Sequence, residues 1–130
     1  MKRVTGLGGL FFKAKEPKAM YQWYEKHLGI KEEAPGAGAM FHWRDAAEPE
    51  KTGMTIWSVF PKDTKYFGGG PQTFMMNFVV ENLDELVKAL REEGVAGDAK
   101  VEDSEYGKFA WITDPEGNRI ELWEPPKEAK

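Results

Sequence analysis

Apolar and polar positions alternate along the chain in two passes of the same order. In the first, Leu7 to Ala14 is a short run of β-type residues, and Glu16-Pro17 opens a helix with proline where its missing N–H costs nothing. Met20, Trp23, Tyr24 and Leu28 recur at steps of three and four, which predicts a helix over about Pro17 to His27, with Gly29 placed as a left-handed cap. Met40 to Arg44 and Met54 to Phe60 read as strands joined by the polar turn Asp45 to Gly53. In the second pass Phe74 to Val80 is a strand, and Asn82 with Glu85 resembles a capping box. Leu83, Leu86, Val87 and Leu90 give the following helix its buried stripe, and Gly94 ends it. Strands at Phe109 to Thr113 and Asn118 to Glu124 flank a type I turn at Asp114-Pro115-Glu116-Gly117.

The passes can be superposed. Pro17 matches Leu83 at the helix starts, 66 residues on, which lays Gly9 on Met75. Pro61 matches Pro125, 64 residues on, which lays Trp57 on Glu121, while Phe41 and Trp43 fall on Phe109 and Trp111. The predicted fold is α+β: two βαβββ modules forming a curled mixed sheet around a cavity, with the helices on its outer face. A single domain over residues 1–130 is expected, with module one at about 4–61, a hinge at about 62–72 and module two at about 73–125. Gly68-Gly69-Gly70 marks the hinge and is also placed to gate the cavity.

Composition narrows the chemistry. The 130 residues carry 18 Lys and Arg against 22 Asp and Glu, a net charge of −4 that argues against a nucleic-acid partner. With no Cys, thiolate nucleophiles, disulfides and iron–sulfur clusters are excluded, and only His27 and His42 are present. The apolar run Val4 to Phe12 is cut by Lys13 and Lys15 without a cleavage site, and no stretch reaches the roughly 20 apolar residues of a membrane span. A cytoplasmic protein without a membrane partner is the expectation. Neither Gly6-Leu-Gly8-Gly9 nor the triple glycine fits a nucleotide-binding loop. Aromatics are abundant at 13%, with five Trp, and they need a place.

Strand parity supplies one. If Ile120 and Leu122 face the helix, Arg119, Glu121 and Trp123 face the open side, as do Met75, Asn77 and Val79, and Gly9, Phe11 and Lys13. The same reading puts Thr55, Trp57 and Val59 there. The expected cavity is then lined by Phe11, Phe41, Trp57, Met75, Asn77, Trp111 and Trp123, a mostly apolar small-molecule pocket. Core packing is the alternative for these rings. Glu121 is the candidate catalytic residue, a general base if desolvation raises its pKa, or a scaffold carboxylate neutralised by Arg119, Arg44 or Lys13. Tyr106 and Lys108 are placed to close over a ligand.

The segment Phe109-Ala-Trp-Ile-Thr-Asp-Pro-Glu-Gly-Asn-Arg-Ile-Glu-Leu-Trp123 resembles the last hairpin of the vicinal oxygen chelate superfamily, which includes glyoxalase I, bleomycin-resistance proteins and extradiol dioxygenases. Trp23-Tyr24-Glu-Lys-His-Leu-Gly29 and Phe78-Val-Val-Glu-Asn-Leu-Asp84 are similar to its helix end and second helix start. The resemblance spans Val4 to Pro125. It implies a divalent metal held from the first and last strands of each module, here Gly9, Trp57, Met75 and Glu121. Only Glu121 is a good ligand for a hard cation, so no metal and no other cofactor is expected. His42 is a weak candidate to rebuild a site, and His27 suits a helix C-terminus. The reading is a glyoxalase- or bleomycin-resistance-like protein that binds a small apolar or aromatic molecule, with acid/base chemistry at Glu121 open. The alternatives are a metal-dependent glyoxalase-type lyase or dioxygenase with a rearranged ligand set, and a structural or partner-binding homodimer. A homodimer is itself what the resemblance implies.

Overall fold

A computed structural model describes residues 3–98 and 100–127. Its elements run β1 (Val4–Ala14), α1 (Pro17–Leu28), β2 (Ala39–Arg44), β3 (Thr52–Pro61), β4 (Phe74–Val80), α2 (Leu83–Glu92), β5 (Glu102–Ser104), β6 (Gly107–Thr113) and β7 (Arg119–Glu124). Both helices start and stop as their sequences predict. Pro17 sits in the first turn of α1, and Gly29 closes it with φ 69°, its N–H returned to the Glu25 carbonyl. At α2 the Asn82 side chain accepts from the Glu85 N–H while its own amide donates to the Glu85 carboxylate.

All seven strands form one mixed sheet in the order β2-β3-β1-β4-β7-β6-β5. The two halves join through the antiparallel β1–β4 pair, and within each half the outer hairpin returns parallel to the first strand, as β1–β3 and β4–β7. Both helices cover one face. Against α1 lie Phe12, Ala39, Trp57 and Val59 with Tyr21 and Tyr24, and against α2 lie Val80, Ala110 and Leu122 with Leu83, Leu86 and Val87. The opposite face carries a third cluster, Phe11, Phe67, Met75 and Trp111, with Ile56, Phe60 and Phe109 packed on it.

The halves are less alike than the sequence suggests. Among the described residues the first half is βαββ, one strand short, while the second gains the three-residue edge strand β5. The register also shifts. The 66-residue offset of the helix starts places Phe11 on Asn77, and the ladders pair Phe11 with Ser58 and Asn77 with Glu121. Ser58, and not Trp57, is therefore the counterpart of Glu121. A slip of one residue turns every side chain of a strand to the other face, so Trp57 and Val59 face α1 instead of the open side.

Candidate functional site

The ladders around β7 converge on one side chain. Glu121 is 2% exposed. Its β4 partner Asn77 donates from Nδ2 to Oε1 at 2.5 Å, and its β6 partner Trp111 donates from Nε1 to Oε2 at 3.0 Å. A third donor is the Tyr66 hydroxyl, which reaches Oε2 from the loop between β3 and β4. A carboxylate removed from water needs such donors, and charge-assisted hydrogen bonds of this kind are the stronger class. Burial first, and the Glu121 charge second, push the Tyr66 phenol well above the usual tyrosine range. The proton therefore stays on Tyr66 and the bond keeps its direction.

The same loop fills the middle of the open face. Phe67 is fully buried between Phe11, Met75 and Trp111, with the Lys13 ammonium 5.4 Å from its ring centroid. Phe60 stacks on Tyr66 at 5.6 Å and tilts against Phe67 at 5.2 Å. The chain then turns at Gly68, whose φ of 84° and whose approach to the Arg119 stem both favour glycine. On the other wall the Phe11 ring folds over Gly9, where an added Cβ would lie 2.7 Å from it.

Beyond the loop, toward the β5 edge, the sheet remains open. A cavity of about 390 Å³ is bounded by Lys65, Tyr66, Glu102, Tyr106, Phe109, Trp111 and Arg119. Phe109 lies nearly parallel to Trp111 on one side and to Trp123 on the other, with centroids 6.3 and 6.1 Å apart. The Arg119 guanidinium sits 5.2 Å over the Trp111 ring and grips Asp98 through both terminal nitrogens at 3.1 Å. Its Nε–H is buried without a partner, and so is Asn77 Oδ1.

The structure brings together Phe11, Met75, Asn77, Trp111, Trp123 and Glu121 on the open face, with Trp123 Nε1 tied to the Tyr106 carbonyl at 2.8 Å. Two expected wall residues are elsewhere. Trp57 packs among Phe12, Tyr21 and Tyr24 under α1. Phe41 is half exposed and pairs with Thr55, on the α1 side by strand parity. Tyr106 does line the cavity, whereas Lys108 is drawn to Asp84 in the first turn of α2 and does not. Tyr66, Phe67 and Phe109 are the site residues that periodicity missed. The signal for the first two is a pair of aromatics between a polar segment and three glycines.

A divalent metal does not fit these residues. The positions that the fold would use hold Gly9, Ser58, Met75 and Glu121, which is one carboxylate, one hydroxyl and a thioether. The acceptors of that carboxylate face three protein donors. His42 lies on β2, four strands from β7, roughly 19 Å at the usual strand spacing. No group of three or more His, Cys, Asp or Glu is placed to hold a cation among the described residues.

Paired halves, a sheet covered by helices on one face and a small site on the other define an α+β chelate-type fold. The chain belongs to the Glyoxalase/Bleomycin resistance protein/Dioxygenase superfamily, whose profile matches residues 10–122. No curated protein sequence matches it. Among solved structures, a Streptomyces coelicolor methylmalonyl-CoA epimerase variant in complex with 2-nitronate-propionyl-CoA is 14% identical with a TM-score of 0.70, covering 98% of this chain and 99% of that one. The Mycobacterium tuberculosis methylmalonyl-CoA epimerase is 18% identical with a TM-score of 0.61, over 98% and 92%. A 2,2',3-trihydroxybiphenyl 1,2-dioxygenase from Sphingomonas wittichii is 15% identical with a TM-score of 0.61, covering 97% of this chain and 42% of its own. At these identities the likeness is one of fold. Among the described residues no helix is long and apolar enough to cross a membrane.

Proposed function

We propose that the protein binds a small molecule with an aromatic or apolar body against Tyr66, Phe109 and Trp111, without the divalent metal that its fold family often employs. The observation that carries this reading is the cavity of about 390 Å³ walled by those three rings. Its volume suits a small ring compound, and its mix of apolar wall and few polar groups is that of a ligand site. Glu121 serves here as a positioning residue that holds Tyr66 and Trp111 in place. As a general base it has to act through the Tyr66 hydroxyl, and the phenol's raised pKa opposes that relay. Binding is thus better supported than turnover.

The test is a titration with a panel of small aromatics, read by Trp fluorescence and by melting temperature. Saturable shifts that disappear in Phe109→Ala support the reading, and a panel that moves neither signal overturns it. Stoichiometric Ni, Zn, Mn or Fe in protein purified without an affinity metal would instead favour a metal-dependent lyase or dioxygenase. A homodimer is expected by likeness to the family, and light scattering that returns only the 14.8 kDa monomer contradicts it.

A further inference from the structure

One wall of the cavity is a side chain held as a ligand would be held. The Tyr66 ring lies parallel to Phe60 at 5.6 Å, stands edge-on to Trp111 at 6.3 Å, and its hydroxyl donates to Glu121 Oε2. Trp111 donates to the same Oε2 at 3.0 Å and Asn77 donates to Oε1, both from strands, so Tyr66 is the one donor of the three that comes from a loop. Its backbone is held more firmly than its ring. The Gly68 N–H returns to the Lys65 carbonyl at 3.0 Å, which sets Tyr66 and Phe67 at the two corners of a tight turn. Phe67 is fully buried and pins that turn, whereas Tyr66 is 39% exposed and lines the cavity. Rotating the Tyr66 side chain therefore breaks one hydrogen bond and the contacts to Phe60 and Trp111, and leaves the turn and the Phe67 packing in place.

From this arrangement, and resting on the binding reading above, we propose that Tyr66 is a side-chain gate and that the ligand is a neutral phenol, whose hydroxyl replaces that of Tyr66 on Glu121 while its ring takes the place beside Phe60 and Trp111. The space so opened fits a phenol by construction, and it is continuous with the cavity because Tyr66 is part of the cavity wall. A buried carboxylate that loses one donor needs another, so a ring without a hydroxyl does not stand in for Tyr66. Charge sets the second preference. Burial and the Glu121 charge hold the Tyr66 phenol in its neutral form, and the same surroundings disfavour a phenolate at that position. In the closed state the gate competes with the ligand, and the apparent affinity falls with the fraction of molecules that are closed.

Phenol and toluene have nearly the same shape and differ in the hydroxyl, and each is titrated calorimetrically against the full chain, Tyr66→Ala and Tyr66→Phe, with folding checked by melting curves. In the parent, phenol should bind about tenfold tighter than toluene, the size of one charge-assisted bond. Tyr66→Ala removes the gate and should tighten phenol by about tenfold. Tyr66→Phe keeps the ring and releases only its bond to Glu121, so it should tighten phenol by a smaller factor, and it carries the test if Tyr66→Ala does not fold. A crystal of the parent soaked in phenol should show the added hydroxyl on Glu121 Oε2 with the Tyr66 ring turned away. Weaker phenol binding in the Tyr66 variants, or toluene equal to phenol in the parent, overturns the gate and spares the aromatic pocket, of which Tyr66 is then a fixed wall. Phenol binding to Tyr66→Ala but not to the parent also overturns the gate, because truncation alone then makes the space. No binding of either probe to any of the three folded proteins overturns the gate and the binding reading together.

Discussion

The two halves of the open face share an order of elements and differ in what they carry. Around β1 and β3 it carries Phe11, Ile56 and Phe60, with Ser58 at the position where the other half has Glu121. Around β4, β6 and β7 it holds a buried carboxylate with three donors, a row of near-parallel rings and an open cavity. The loop 62–72 joins them and serves each differently, since Phe67 completes the apolar packing while Tyr66 completes the polar network. One half of the open face is thus apolar core, while the other sets a buried, hydrogen-bonded carboxylate beside an open cavity.

Substitutions that break this division should differ in size. Phe67→Ala removes a fully buried ring from the seam between the halves and should cost about 3–5 kcal/mol, lowering the urea midpoint without changing the slope. A cost under about 1 kcal/mol would show that the loop does not close the face. Glu121→Gln keeps the shape but sets an amide NH2 against donors, and a loss of about 1–3 kcal/mol is expected by the same measurement. The counterpart change Ser58→Ala should cost much less, because among the described residues no set of three side-chain donors like that on Glu121 converges on it.

Tyr66→Phe deletes one donor to Glu121 and should cost about 1–2 kcal/mol at neutral pH. It also carries a pH signature. The Tyr66 pKa is raised in the folded protein, so its contribution is complete below the unfolded tyrosine value of about 10 and is lost as pH rises toward the folded value. Between about pH 9 and about pH 11 the parent should therefore lose more stability than Tyr66→Phe does. Equal losses of stability in parent and variant between the two pH values, read from urea titrations, would contradict the Tyr66–Glu121 contact. The smallest effect is the sharpest for the comparison: Trp57→Phe, on the helix face, should leave aromatic binding unchanged, since the ring lies under α1 and not beside the cavity.

Much of this arrangement was legible in the chain. Helix boundaries followed from Pro17, Gly29, the Asn82 cap and the stripe of Leu83, Leu86, Val87 and Leu90, because caps and periodicity are local. Strand parity placed Glu121, Asn77, Met75 and Trp123 on the open face, because β4 and β7 carry an uninterrupted alternation, and Phe11 joins them on β1 as the direct partner of Met75. Trp57 and Phe41 went to the wrong face because their position rested on laying one hairpin over another of different length, and a single residue of register reverses the face. Tyr66 and Phe67 escaped because a loop has no period to read. Their importance comes from where the loop folds back, over sequence separations of 55 residues for Tyr66 and Glu121.

The environment of one carboxylate, Glu121, decides between a metal-free site and a metal centre. A high-resolution crystal structure of protein purified without an affinity metal, then soaked in Ni or Zn and examined by anomalous scattering, tests it most directly. The expected result is Glu121 bound by Tyr66, Asn77 and Trp111, with Phe67 seated and no anomalous peak beside it. A metal ion on Glu121, with the Tyr66–Phe67 loop swung out, would contradict it.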